Sequence, residues 1–167
     1  MLLNELHRLY LRELATLERE LDLYPDDASV WTILPGMPNS AGTLFLHLAG
    51  SVQHFFGAVL GQTGYVRNRE AEFGRRDVTR EELHRELMGA RNGLTAAFHR
   101  LTEDDLEQMF PVRFADVDLS SRLTLLQFLS HLAYHLGQID YHRRVVTQST
   151  ASAGALDPVE LVKRPAT

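Results

Sequence analysis

Three histidines near the end of the chain have the residue type and the spacing to bind a metal. His131 and His135 form an H-x-x-x-H pattern within SHLAYHLGQIDYHRR, residues 130–144. On a helix, side chains one turn apart lie on the same face, so both imidazoles can point at a common atom. Gln138 and His142 continue this stripe. The pattern also occurs in ordinary helices beside a core, and a metal needs at least one more protein ligand from elsewhere in the chain.

An upstream apolar helix offers two candidates for the third ligand. The sequence predicts this second helix from an N-cap at Asn39 or Ser40 to about Gln62. His47 lies beside the apolar stripe of the helix, and His54 follows two turns later on nearly the same face. His47 is flanked by leucines, whereas His54 follows a glutamine and is closer to solvent. Spacing alone does not choose between them.

Composition limits what the protein can be. With 167 residues, 44% apolar and 23% charged, the chain has the size and composition of a single soluble domain. It has no cysteine, so a metal must use His, Asp or Glu. The net charge of −5, without a basic block, argues against nucleic-acid binding. The start, MLLNELHRLYLREL, lacks a signal-peptide pattern, and no apolar run approaches a membrane span. We therefore expect a cytoplasmic protein.

Four long helices must position these residues, and their apolar stripes predict an all-α fold. Helix one is expected over residues 2–24, and helix three from a capping box at Thr79 and Glu82 to about Leu101. Helix four is expected from about Thr124 to Thr147. Residues 25–39 form a linker whose Trp31 closes one end of the helices, and residues 110–123 an extended connector. We expect one domain, 1–148, and a tail, 149–167, that is flexible or lies along it.

The connection between helices two and three suggests their relative direction. A helix of about 22 residues is roughly 33 Å long, and an extended chain advances about 3.3 Å per residue. Residues 63–78 could therefore run back along helix two, which would make helices two and three parallel. This length favours a four-helix bundle of up-down-down-up order with a long crossover. The alternative is a flexible excursion between antiparallel helices.

Three stretches together resemble a known superfamily. NSAGTLFLHLAG in helix two, RNREAEF in the crossover and HLAYHLGQIDYHRR in helix four are similar to the DinB/YfiT-like superfamily of small bacterial proteins. The resemblance implies an up-down-down-up four-helix bundle that forms a homodimer. It also implies a divalent metal, commonly nickel or zinc, held by His47, His131 and His135. It further implies a close approach of helices at Gly137, with Gln138 at or beside the site.

Such a metal would support two kinds of chemistry. Three neutral imidazoles leave a +2 ion with open positions, where a bound water has its pKa lowered and a bound thiol is deprotonated. Because relatives in the superfamily use low-molecular-weight thiols such as bacillithiol and mycothiol, we expect a thiol transferase acting on a small-molecule electrophile. The alternatives are a metal-dependent hydrolase, a non-catalytic dimeric bundle with a structural metal, and histidines that never bind metal.

Further residues have weaker assignments. Gln138 and His142 are candidates for catalytic groups, and Arg143 and Arg144 for contacts to the carboxylates of a thiol cofactor. The alternative for the two arginines is that they are cations stabilising a helix C-terminus. A ligating histidine usually donates its second N–H to another group; Gln138, Asp140, Glu70 and Glu72 are the candidates. Arg69 is predicted to anchor the crossover through a salt bridge.

Overall fold

The computed structural model describes residues 1–113, 116–155 and 157–162. This part of the chain is mostly helical and contains no β-strand, apart from one isolated bridge between Met109 and Ser120, so the all-α prediction is confirmed for it. The elements are α1 (Leu2–Asp22), α2 (Asp27–Val30), α3 (Ala41–Val52), a π-helix that continues α3 (Gln53–Leu60), α4 (Arg69–Gly74), α5 (Arg80–Arg100), a 3-10 turn (Asp104–Glu107), α6 (Ser121–Thr147) and α7 (Val159–Val162).

Side-chain caps determine where three of the long helices begin. Ser40 and Thr79 each accept a hydrogen bond from the backbone N–H three residues on, and Glu82 completes the predicted capping box with Thr79. Helix α6 begins one turn earlier than predicted, because Ser120 rather than Thr124 is its cap. Serine and threonine are both good cap residues, so the sequence pattern favoured the wrong one of two nearby candidates.

Hydrogen bonds and close contacts define two pairs of parallel helices. The Tyr10 hydroxyl donates to the Leu125 carbonyl oxygen at 2.5 Å. Just past the C-terminal end of α1, the Tyr24 hydroxyl lies 3.4 Å from the Ile139 carbonyl oxygen. Residue numbers rise together in these contacts, so α1 and α6 run in the same direction. The π-helix and α5 do likewise, since Gly57 lies against Gly93 and the preceding turn of each helix is also in contact.

The first pair, α1 and α6, runs antiparallel to the second pair, the π-helix and α5. Glu18 of α1 pairs with Arg91 of α5, while Asp22 pairs with the earlier residue His84. Helix α1 contacts both α5 and α6, and α3 also contacts both. The interior between them is filled by apolar side chains from all four long helices, including the fully buried Leu14, Leu48, Leu87 and Leu132. This packing places the middle of α3 directly opposite the middle of α6.

The crossover between the π-helix and α5 returns along the outside of α3. Because these two helices are parallel neighbours, their connection has to span their length, as its size predicted. It contains the short helix α4, which packs on α3. At its far end Trp31 donates its indole N–H to the Val78 carbonyl oxygen at 2.8 Å and covers Gly42 at the start of α3. The crossover therefore brings α4 beside the helix that carries His47.

A buried ion pair joins α1 to α6 and holds the chain that follows α6. Arg143 is 0% exposed and pairs with Glu20, which is 1% exposed, and with Asp140 at 2.9 Å. Arg143 also donates to the Ala151 carbonyl oxygen at 2.8 Å, and Arg144 donates to that of Thr150 at 3.0 Å. The described part of the tail thus lies against the helices. Residues 156 and 163–167 of the predicted tail, and 114–115 of the predicted connector, lie outside the described residues.

One segment is long and apolar enough to cross a membrane. It is Ala41–Leu60, and 78% of its most apolar window is buried against the rest of the protein. This burial is typical of the core helix of a soluble protein. The segment does not read as one apolar run in the sequence, because its glycines, two histidines and glutamine interrupt the apolar residues.

Candidate metal centre

The structure brings His47, His131 and His135 together. His47 comes from α3, and the other two rings lie one turn apart on the facing side of α6. One nitrogen from each ring can be chosen so that all three lie within 4.8 Å of one another. His47 is 8% exposed, whereas His131 and His135 are half-buried. The cluster therefore lies at the edge of the core with one side accessible.

The separations are close to those that one metal ion requires. The Nε2 atoms of His47 and His131 are 3.2 Å apart. Two nitrogens bound tetrahedrally to one zinc ion at about 2.1 Å would be roughly 3.4 Å apart. The 4.8 Å limit on the remaining separations means that one ring has to move by about 1 Å to complete this geometry. The three imidazoles thus fit a divalent ion such as zinc or nickel.

A buried carboxylate sets the orientation of the His47 ring. The His47 Nδ1 atom lies 3.0 Å from Glu72 Oε2, so Nδ1–H donates to Glu72 and the Nε2 lone pair faces the other histidines. Arg67 donates to both oxygens of the same carboxylate, at 2.6 Å and 2.8 Å. Burial by itself would raise the pKa of Glu72, but the hydrogen bonds from Arg67 and His47 leave that pKa below its ordinary value. Glu72 is therefore ionised and available to orient a ligand.

Gly50 makes this contact sterically feasible. A methyl group built on Gly50 would overlap Oε1 and Cδ of Glu72. The missing side chain, one turn after His47 on α3, therefore provides the space through which the carboxylate of α4 reaches the imidazole. Phe73 covers the outer face of the His47 ring, with the two ring centroids 4.9 Å apart. The side chains of α4 thus both orient and shield this candidate ligand.

The other two histidines are also prepared to offer lone pairs. His135 Nδ1 lies 2.7 Å from Gln138 Oε1, so Nδ1–H donates to the amide and Nε2 faces the cluster. Burial, the two neighbouring imidazoles and Arg67 lower the pKa of His131 to about 4. Burial also lowers the pKa of His135. Both rings are therefore neutral near pH 7, which is the protonation state that a metal ligand needs.

His54 does not join the cluster, and the helix directions explain why. Because α3 and α6 run in opposite directions, a residue two turns after His47, about 10 Å further along, lies opposite residues of α6 that precede His131. The His54 ring packs edge-on against Phe55, with centroids 4.8 Å apart. Of the two candidates, it is His47 that contacts the histidines of α6.

His142 lies beyond the cluster. It is 2% exposed; its Nε2–H donates to the Thr32 carbonyl oxygen at 2.8 Å, and its Nδ1 accepts from the Tyr24 hydroxyl at 2.8 Å. Burial lowers its pKa, which keeps the ring neutral. Both ring nitrogens are thus occupied by structural hydrogen bonds.

The two candidate arginines also lie apart from the histidines. The Arg143 guanidinium is enclosed with Glu20 and Asp140, and Arg144 lies across Asp140, whose carboxylate it contacts at 2.9 Å. Asp140, a candidate partner for a ligating histidine, is thus engaged with these two arginines instead. In these positions the arginines join α6 to α1 and to the tail.

Two further expectations need correction. The close helix approach expected at Gly137 is wrong, because no atom lies within 4 Å of where its side chain would begin. Arg69 places its guanidinium over the Phe73 ring at 5.1 Å, and the crossover is instead anchored by ion pairs of Arg67 with Glu72 and of Arg75 with Glu82. Sequence reasoning missed Arg67 and Gly50. Arg67 could have been suspected only because it is a basic residue five positions before Glu72. Loops lack the regular repeat that would predict that two such residues are in contact.

A cavity of about 400 Å³ opens next to the cluster. One wall is the linker and the start of α3, and the other is the face of α6 that carries Gly137 and Gln138. Gln138 lines this cavity and also accepts the hydrogen bond from His135, so one side chain connects the cavity to the candidate ligands. A small molecule in the cavity would therefore lie beside a metal bound by the histidines.

Comparison with known proteins gives one result. A family model described as "Protein of unknown function (DUF1572)" matches residues 2–153. No curated protein and no solved structure matches the chain. The matched range contains all three histidines together with Glu72 and Gln138, which hydrogen-bond two of them.

Proposed function

The chain belongs to the DUF1572 family, and from its geometry we propose that it is a metal-dependent enzyme with His47, His131 and His135 as ligands of one divalent ion, nickel or zinc. The observation that carries this proposal is the convergence of three histidine side chains, whose ligand nitrogens lie within 4.8 Å of one another. Glu72 and Gln138 hold two of these rings in the tautomer that ligation requires.

An open, catalytic site is favoured over a closed, structural one. Structural zinc sites have four protein ligands, whereas catalytic sites have three and leave a position for substrate. In the described part of the chain, the cluster consists of three histidines and includes no Asp, Glu or further His. His131 and His135 remain partly exposed, and Gln138, the hydrogen-bond partner of His135, lines a cavity. These features support a site that admits a small molecule.

The proposed reaction is transfer of a low-molecular-weight thiol to an electrophile. A divalent ion bound here would favour ionisation of a coordinated thiol. Hydrolysis usually also needs a general base beside the water. Glu72 is the carboxylate that contacts the cluster, and both of its oxygens already accept hydrogen bonds from Arg67 and His47. This arrangement favours a thiol, which needs no such base, over water.

The wider assignment rests on the sequence motifs and on the helix directions. We propose that the four long helices form an up-down-down-up bundle of the DinB/YfiT-like type. Parallel α1 and α6, parallel π-helix and α5, and the long crossover support this order. The resemblance further supports a cytoplasmic homodimer acting on a small molecule. Sedimentation velocity would test the dimer.

Metal analysis of protein purified without a metal-binding tag is the decisive experiment. We expect about one nickel or zinc ion per chain, and none in His131→Ala, which should remain helical because that ring is at the edge of the core. His54→Ala is the matched control and should retain the metal. Full metal occupancy in His131→Ala would show that the ligand set is wrong. With metal present, a lack of thiol transfer across a panel of electrophiles would refute the proposed reaction while leaving the metal site intact.

A further inference from the structure

The cavity beside the histidines has a surface that is mostly apolar. Its linker wall is formed by Met37 and Pro38, and the start of α3 contributes Ala41 and Leu44. The opposite wall is α6, where Tyr134 and Tyr141 stand two turns apart and are 66% and 70% exposed at the rim. Two tyrosine rings on one side and aliphatic groups on the other are suited to a flat or bulky hydrocarbon group.

The polar groups in this cavity are almost all uncharged. No Asp, Glu, Lys or Arg lines it among the described residues, and its one imidazole, His142, is kept neutral by burial and by its two hydrogen bonds. A charged ligand would lose its hydration there without gaining a partner of opposite charge. The lining thus selects against ionic compounds.

Two side-chain amides supply hydrogen-bond donors. Gln138 uses its Oε1 to accept from His135, which leaves its NH₂ group to donate on the cavity side. Asn39 lines the opposite wall just before the cap of α3. Such groups orient a ligand through an acceptor oxygen, as in other mostly apolar pockets with a few polar anchors. Gln138 would hold that acceptor within one side chain of a candidate metal ligand.

Gly137 accounts for part of the open volume. It lies within α6 and lines the cavity, and no atom is found within 4 Å of its absent side chain. Glycine inside a helix costs about 1 kcal/mol relative to alanine. Glycine at position 137 therefore makes α6 less stable than alanine would. The absence of a side chain leaves that space open in the cavity.

We infer that this cavity binds the substrate's uncharged, mainly apolar or aromatic portion, and that a carbonyl or similar acceptor oxygen on it is held by the amides of Gln138 and Asn39. As a substrate site, the cavity rests on the proposed function, since the bound group would lie beside the histidine-held metal. The inference narrows the electrophile to neutral aromatic or aliphatic carbonyl compounds rather than phosphates, carboxylates or cations.

Acetophenone is a suitable probe, because it combines an aromatic ring with one acceptor oxygen. We would titrate it into the metal-loaded, ¹⁵N-labelled protein and follow the side-chain amide signals of Gln138 and Asn39. Saturable shifts at both amides are expected, with at least tenfold weaker binding of ethylbenzene, which lacks the oxygen. Benzoate, which is charged, is compared with acetophenone in the metal-free protein, where no ion can bind its carboxylate, and should also bind at least tenfold more weakly. Equal binding of all three compounds, or no saturable shift, would overturn the inference.

Substitutions of Gly137 provide a matched series. Gly137→Leu fills the cavity from a position with no steric neighbour, so it should fold normally and weaken acetophenone binding at least tenfold. Gly137→Ala adds one carbon and should bind within about threefold of the native protein. Unchanged affinity in Gly137→Leu would place the probe elsewhere and refute the inference. If sedimentation shows that a second copy of the chain covers the rim and excludes acetophenone, the inference is also wrong.

Metal content measured on the same samples separates the two proposals. Acetophenone binding without metal would contradict the proposed function and leave the cavity as a site for neutral apolar ligands. One metal per chain without acetophenone binding would contradict the cavity assignment and leave the metal site standing. Gly137→Leu should retain the metal, because no atom of the three rings lies within 4 Å of where its side chain would begin.

Discussion

Replacing Gly50 by alanine should weaken metal binding even though residue 50 is not a ligand. The added methyl group overlaps the Glu72 carboxylate, which must withdraw. Withdrawal lengthens its 3.0 Å contact with His47 Nδ1 and breaks its bidentate contact with Arg67. Loss of such an outer partner typically lowers metal affinity 10- to 100-fold, or by about 1.4–2.7 kcal/mol.

Competition with a chromophoric chelator for zinc measures this change, and Gly137→Ala is the matched control. Both substitutions exchange glycine for alanine within a helix, but the second has no atom within 4 Å. It should leave zinc affinity within about twofold and stabilise the fold by about 1 kcal/mol. A circular dichroism spectrum confirms that each variant is folded.

A double-mutant cycle tests the route of the effect. If Gly50 acts by making room for the carboxylate, Glu72→Gln should also lower zinc affinity, and adding Gly50→Ala to it should cost little more. Native zinc affinity in a folded Gly50→Ala protein would refute the reasoning. Fully additive losses in the double variant would show that residue 50 acts on the site by another path.

Two other perturbations test the buried polar groups. Arg143→Met leaves Glu20 buried without its partner and should destabilise the protein by about 3–5 kcal/mol in urea unfolding; adding Glu20→Leu should recover much of that loss, and no recovery would contradict the pairing. Burial lowers the pKa of His142 in the folded state, so the unfolded state binds more protons below pH 6.5. Stability of the metal-free protein should therefore fall as the pH drops from 7 to 5, and His142→Gln should make this dependence less steep without abolishing it, because the pKa values of His131 and His135 are lowered as well; an equally steep profile would refute the assignment.

Helical periodicity predicted the long helices and the pair of candidate ligands that lie on one of them. His131 and His135 share α6, so their proximity follows from local geometry. Periodicity could not choose between His47 and His54, because residues seven apart share one face of an α-helix, and the choice depends on which part of α3 packs opposite His131 and His135. Only the resemblance to known motifs selected His47.

Contacts made by the crossover were beyond sequence reasoning for a different reason. Glu72 could be named as a candidate carboxylate, but its partner depends on how α4 packs on α3 and on the space left by Gly50. Likewise, Gly137 resembles a helix-packing glycine in sequence, and only the surrounding structure shows open space there. A glycine in a sequence does not show whether the space beside it is filled by another part of the protein or is open to a ligand.

The position of the cluster also bears on the order of folding. His47 and His131 are separated by 84 positions in the chain, whereas His131 and His135 are neighbours on one helix. An unfolded chain therefore offers at most the local pair, because bringing in the third imidazole carries the entropic cost of closing a long loop. Complete coordination requires α3 and α6 to be docked already. A metal would then bind the native state in preference to earlier states and stabilise the assembled helices in proportion to the logarithm of its free concentration.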